Sequence, residues 1–209
     1  MILYLSSYKL GNKTDYLKNW IKENNNKILL IPNSRDAKTD KKRNKEKIES
    51  NIKMLEDVGF DVTILDLKKY FDNNNKLYED LKGFNAFCVI GGNVFVLRQA
   101  MKLSGFDRFL QENKDDKNML YIGYSAGSSV LSKNLDGLQL VDEPLNFHSE
   151  VIYDGVGLVD YCIVPHYQSD HKESELVNDT VAYLDKNKLS YKTIRDGEVI
   201  IENLGSENK

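Results

Sequence analysis

Short apolar runs at 1–6, 27–32, 60–66, 85–90 and 119–123 alternate along this chain with longer polar-apolar segments at 14–24, 40–58, 75–82 and 93–113. No other feature limits the fold so strongly. Strand-length runs separated by helix-length segments predict an α/β fold, three layers α/β/α around a mostly parallel central sheet. Within 40–58, Ile48, Ile52, Leu55 and Val58 recur at helical spacing, and the Lys, Arg and Glu residues between them suit a solvated face. Asn-rich tracts at 23–26 and 73–75 read as turns and caps. Beyond the fifth run the pattern predicts a strand at 161–165, a helix from about 171 to 185, and a terminal hairpin over 190–202. That hairpin would turn at Arg195-Asp196-Gly197-Glu198, and the tail Gly205 to Lys209 is expected to fray. With 209 residues and no internal repeat or linker, the chain is expected to form one domain, 1–209.

Composition narrows the partners. A net charge of −3 generates no field that would attract nucleic acid. No apolar run reaches the roughly 20 residues of a membrane helix, and the opening Met-Ile-Leu-Tyr-Leu-Ser-Ser reads as a first strand rather than a signal segment. A cytoplasmic location without nucleic-acid or membrane partners is the expectation, with monomer and homodimer both open. Cys88 and Cys162 lie inside apolar runs, where small buried thiols are expected rather than a disulfide or a metal site.

Directly behind Met119-Leu120-Tyr121-Ile122 stands Gly-Tyr-Ser-Ala-Gly-Ser, residues 123–128. A G-x-S-x-G sequence after a strand and before a small apolar segment, Ala126 to Leu131, is the pattern of a nucleophile elbow. It requires a sharp turn that lifts a hydroxyl out at the carboxyl end of a sheet. Ser125 is the candidate nucleophile, and the backbone N–H of Ala126 a candidate oxyanion donor. A serine hydroxyl needs a base, and the chain has three histidines. His166 follows the apolar strand Tyr161 to Pro165, which puts it at a strand's carboxyl end. His171 opens the next helix, with Asp170 as cap and Glu173 closing a capping box, and is expected to face solvent or substrate. His148 lies in a polar loop with no positional argument. For the orienting carboxylate, the order Ser, acid, His would use Asp136, Asp142, Asp154 or Asp160, whereas the order Ser, His, acid points to Asp196; the residues alone leave both open. Gly91-Gly92-Asn93, after the strand ending at Ile90, has the address of a second oxyanion loop, with Asn93 also suited to cap the following helix. Nucleotide binding lacks support, since neither a P-loop nor a G-x-G-x-x-G follows a strand.

Taken in order, Val-Ile-Gly-Gly-Asn-Val-Phe (89–95), Leu-Tyr-Ile-Gly-Tyr-Ser-Ala-Gly (120–127) and Val-Pro-His-Tyr with His-Lys-Glu-Ser (164–174) resemble the aspartyl dipeptidase, or dipeptidase E-like, serine peptidases. The resemblance implies a fold similar to class I glutamine amidotransferases, with serine in place of the elbow cysteine. It makes Ser125 the nucleophile, His166 the base, and Gly92 with Ala126 the oxyanion donors. It also favours Asp196 as the third member, a carboxylate in a late turn. Gly91, Asn93 and His171 are then expected to contact substrate, and neither a metal nor an organic cofactor is needed. The implied activity is hydrolysis of short peptides, in particular dipeptides with an N-terminal aspartate. The glycine run departs from the family's three glycines and threonine, which leaves substrate choice open. An esterase or amidase with the same triad, and a non-catalytic binding protein on the same scaffold, are the competing readings.

Overall fold

A computed structural model describes residues 1–205. Its main sheet joins six strands in the order β3-β2-β4-β5-β1-β8. These are β1 (Ile2–Ser6), β2 (Lys27–Ile31), β3 (Asp61–Ile64), β4 (Ala86–Val89), β5 (Leu120–Tyr124) and β8 (Val199–Asn203). Every pairing is parallel except that of β8, which runs antiparallel along β1 from Ile2↔Asn203 to Ser6↔Val199. Two further strands, β6 (Cys162–Pro165) and β7 (Tyr191–Ile194), pair in parallel as a separate small sheet.

The helices α1 (Thr14–Glu23) and α2 (Lys41–Glu56) cover one face of the main sheet. Leu17, Trp20 and Leu55 pack there on Tyr4, Ile28, Leu30, Cys88 and Ile122. The other face carries α3 (Asn74–Asp80), α4 (Val94–Ser104), α5 (Phe106–Glu112), α6 (Ala126–Ser129) and α7 (Ser174–Lys186). There Phe95, Leu97, Phe106 and Val177 meet Leu3, Leu5, Leu29, Phe87 and Tyr121. Alternate residues of each central strand thus feed opposite cores, which is why those strands read as unbroken apolar runs. The expected three-layer architecture is the one found.

Four local expectations are corrected. The terminal hairpin does not form: the turn at 195–198 exists, with Glu198 N–H donating to Arg195 C=O at 3.0 Å, but its two strands join different sheets. β7 satisfies its backbone on β6, and β8 closes the open edge of β1, so longer-range pairing overrides the local turn signal. The segment 93–113 is two helices, broken at Gly105, whose φ of +80° is left-handed. The apolar stretch after the elbow is helical only over Ala126–Ser129. α7 starts at Ser174 without a side-chain cap, so Asp170 and Glu173 make no capping box. Of the expected frayed tail, Gly205 is described and 206–209 lie outside the described residues.

The elbow glycines are required by close approach. A Cβ on Gly127 would lie 2.0 Å from the Val89 carbonyl oxygen of β4, and one on Gly123 would lie 2.5 Å from the Gly127 carbonyl oxygen. Both obstacles are backbone, which cannot swing aside. Gly127→Ala is therefore expected to destabilise the fold by about 3 kcal/mol or more, read as a lowered urea midpoint.

Candidate active site

Because β4, β5 and β1 are adjacent and parallel, whatever follows each of them arrives on the same edge of the sheet. β4 is followed by Ile90-Gly91-Gly92, β5 by Ser125, and β1 by Ser7. The small sheet repeats the arrangement. Pro165 pairs with Ile194, so His166, just past β6, and Asp196, just past β7, emerge side by side.

Ser125 sits at φ 49°, ψ −122°, a backbone conformation that L residues rarely adopt. Holding it there costs on the order of 1–3 kcal/mol. The turn is held by Ser125 N–H to Ser6 C=O at 3.2 Å, and by the N–H groups of Ser128 and Ser129 to Ser125 C=O at 2.8 and 3.0 Å. Ser128 Oγ adds bonds to the carbonyls of Ser6 and Gly123 at 2.9 and 2.8 Å. His166 Nε2 lies 3.1 Å from Ser125 Oγ, and His166 Nδ1 lies 2.7 Å from Asp196 Oδ1. Serine, histidine and aspartate thus form a continuous hydrogen-bonded line. Asp196 N–H is itself held by Ser169 Oγ at 2.8 Å.

The structure brings the expected glycine loop to the nucleophile. A Cβ on Gly91 would stand 3.0 Å from Ser125 Cβ, and one on Gly92 would stand 2.3 Å from the Ser34 carbonyl oxygen. Ala126 opens α6, where a first-turn N–H has no intrahelical acceptor. Asn93 is buried and structural: its Oδ1 caps α4 through Val96 N–H at 3.0 Å, and its Nδ2 donates to Glu143 C=O at 2.7 Å. His171 does not open a helix. Its ring stacks on His166, centroids 3.8 Å apart and planes 9° from parallel.

Among the open carboxylates Asp196 is the one that meets His166, while Asp154 is exposed and offers its carbonyl to Arg98 Nε at 2.7 Å. Asp142 enters the site in another way. It lines a narrow pocket, about 20 Å³ in volume, together with Ser125, Ala126, His166 and Glu173. Its Oδ2 accepts Val94 N–H at 2.8 Å, and burial pushes its carboxyl up to about 7. Residues 142–150 form a strap pinned to α4 by buried Gln99, whose Nε2 donates to Leu145 C=O at 2.6 Å and whose Oε1 accepts His148 N–H at 2.8 Å. His148, which the sequence leaves unplaced, fixes the strap's far end on Asp36 Oδ2 at 2.9 Å.

Burial lowers the basicity of His166 below the usual histidine value and His171 adds to this, against the opposing pull of Asp196. The imidazole is therefore neutral at pH 7 and able to accept a proton. His166, His171 and Glu173 place ligand-type atoms within 4.8 Å of one another. Parallel stacked rings direct their in-plane lone pairs along parallel planes rather than to one point, so the trio does not fit a metal as it stands.

Ser7 is the residue that sequence reasoning missed. It is fully buried, donates Oγ–H to Asp196 Oδ1 at 2.6 Å, and accepts His166 N–H at 2.7 Å. A serine after a first strand carries no motif, so only the fold reveals it. One hydroxyl joins both partners of the relay.

The site thus presents a strained strand-to-helix serine, an adjacent imidazole held by a carboxylate, and a glycine loop, all on one edge of a parallel α/β sheet, the arrangement used by serine hydrolases. A family model places the chain more narrowly: residues 2–204 match peptidase family S51, and the chain belongs to that family. It is 34% identical over 122 residues to an uncharacterized peptidase of Listeria innocua, an alignment covering 58% of this chain and 57% of that protein. An uncharacterized peptidase of Listeria monocytogenes is 32% identical over 122 residues, covering 58% of each. The aligned part of the chain thus spans somewhat over half the length of these relatives. Over the whole fold, a Listeria monocytogenes protein named for peptidase E superposes with a TM-score of 0.72 at 25% identity, covering 97% of this chain and 98% of that one. A peptidase from an acI-B1 actinobacterium has the same fold, with a TM-score of 0.70 at 17% identity, covering 98% and 84%.

Two outcomes are expected in any assay of Ser125 reactivity. Ser7→Ala lowers turnover about 10- to 100-fold, the range for losing a hydrogen bond to a charged group. It also moves the acidic limb of the pH profile upward, because Asp196, relieved of one donor, bears more strongly on His166; Ser7→Thr restores both. Replacing His171 by Phe, which keeps the ring and removes the charge that lowers His166, moves the same limb upward. An unmoved limb in both variants would remove Ser7 and His171 from any part in tuning the base.

Proposed function

We propose that this chain is a serine peptidase that hydrolyses short peptides through an acyl-enzyme formed on Ser125. The observation that carries the reading is the line from Ser125 Oγ to His166 Nε2 at 3.1 Å and from His166 Nδ1 to Asp196 Oδ1 at 2.7 Å, on a strained elbow. Membership of peptidase family S51 supports it.

In this mechanism His166 takes the Ser125 proton as Oγ attacks the peptide carbonyl, while Asp196 holds the Nδ1–H tautomer and stabilises the imidazolium. The N–H groups of Gly92 and Ala126 receive the charge that develops on the carbonyl oxygen. His166 Nε2 then returns the proton to the leaving amine as the C–N bond breaks. Water, deprotonated by the same nitrogen, attacks the ester; its oxygen enters the new carboxyl group and the proton returns to Ser125. Val94, Ala126 and Val164 make one side of the site apolar, and low local polarity strengthens each of these interactions.

Dipeptides with an N-terminal aspartate are the substrates that the family resemblance implies, and they are the first class to assay. A cytoplasmic location belongs to the same proposal. It agrees with two free, buried cysteines, whose thiols burial pushes up to about 12, and no described helix is long and apolar enough to cross a membrane.

The test is hydrolysis of a dipeptide panel by wild type, Ser125→Ala and His166→Ala, beside labelling by a fluorophosphonate. Loss of either residue is expected to lower kcat by about 10⁶-fold without unfolding the protein. Full activity in Ser125→Ala would end the assignment. Labelling at Ser125 without cleavage of any peptide would point to another acyl substrate.

A further inference from the structure

Tyr124, the second residue of the elbow, has no part in the relay, yet its hydroxyl ends beside the glycine loop. Leu120, Ile122 and Tyr124 point from β5 into the core that α2 covers, opposite to the core that Tyr121 enters. There Tyr124 Oη lies 2.5 Å from Asn51 Oδ1 of α2, and Asn51 Nδ2 lies 2.7 Å from Lys47 C=O. Tyr124 and Asn51 are both buried. These contacts fix the direction of each bond. A carbonyl can only accept, so the amide nitrogen of Asn51 faces Lys47 and its oxygen faces the phenol. The phenol gives its single proton to Asn51, which leaves lone pairs on its oxygen, and Gly91 N–H donates to that oxygen. The ring lies against the same glycine: a Cβ on Gly91 would stand 3.0 Å from Cε2, the carbon next to the one that bears the hydroxyl.

The other N–H groups of the turn complete the account. Ile90 donates to Ile31 C=O at 3.3 Å and Asn93 to Ser34 C=O at 2.7 Å, while Gly92 N–H has no acceptor among the described residues. We propose that Tyr124 is a positioning residue for the oxyanion hole: anchored on Asn51, its hydroxyl engages Gly91 N–H and sets the turn so that Gly92 N–H stays free for the substrate oxygen. The proposal rests on the reading of Ser125 as nucleophile and adds to it a residue outside the relay. Two successive glycines carry no side chains to fix their peptide planes, so the direction of Gly92 N–H depends on clamps at either side. Tyr124 clamps the turn before Gly92, and Ser34 clamps it after. A donor held in advance costs nothing to reorient when charge develops on the carbonyl oxygen.

Tyr124→Phe removes the hydroxyl and keeps the ring. Two alkyl fluorophosphonates that differ only in P=O or P=S are the probes. As Ser125 Oγ bonds to phosphorus and fluoride leaves, that oxygen or sulfur occupies the oxyanion hole, and sulfur is the poorer hydrogen-bond acceptor. In Tyr124→Phe, labelling by the P=O probe is expected to fall about 10- to 100-fold while the P=S probe changes less than about threefold. The pH at which labelling rises, set by His166, should not move. A general loss of reactivity lowers both probes together and leaves their ratio as it is in wild type. Asn51→Leu, close to Asn in shape, takes away the anchor and should lower the same ratio; it carries the test should Tyr124→Phe fail to fold. An unchanged ratio in either folded variant, with wild type labelled, would overturn the role of Tyr124 alone. Wild type unlabelled by both probes would remove Ser125 as nucleophile and this proposal with it.

Discussion

The backbone contact between the elbow and β4 is the constraint on which the site depends. Gly127 lies against the Val89 carbonyl so closely that no side chain fits between them, and that contact places the residue two positions earlier, Ser125, in its strained conformation. The strain is sustained because the surroundings determine it several times over. Ser6 and Ser128 hold the turn from the β1 side, and the Tyr121 hydroxyl reaches the Gly127 carbonyl at 2.7 Å. With the elbow fixed, the hydroxyl it carries can only face the edge where the glycine loop and the small sheet converge. Rigidity at this point lets a 3.1 Å contact to His166 be a property of the resting fold.

Electrostatic control is distributed differently. His166 is depressed by burial and by its stacked neighbour His171, and is supported by Asp196, so its basicity is a balance rather than a consequence of one partner. Ser7 links the two sides of that balance by touching the backbone of one and the carboxylate of the other. Asp142, by contrast, is held in a place where burial disfavours its charge, fixed by a strap whose own hydrogen bonds have no part in the relay.

Much of this was legible in the residues. The apolar runs became β1 to β5, and the G-x-S-x-G pattern stands where a nucleophile elbow requires, because both signals are local: strand burial and turn sterics act over a few residues. His166 was readable for the same reason, as a residue just past an apolar strand. Asp196 was readable only through the family resemblance, since an Asp-Gly turn has a purely local explanation and the rival carboxylates were equal on spacing. Its contact with His166 comes from β6 pairing with β7 across an intervening helix. The expected hairpin failed on the same ground, with two strands next to each other in sequence finding partners far away.

The sequence by itself determined the layers, the order of the parallel strands' apolar runs, the glycines and the serine of the elbow, because each is a short-range consequence of side-chain size, polarity and spacing. Tertiary structure alone decided which acid meets His166, that Ser7 ties them together, that His171 stacks on the base rather than opening a helix, and that a distant strap carries Asp142 into the pocket. Those outcomes depend on strand pairing and on burial between segments tens of residues apart, and no window of sequence contains the energies that select them.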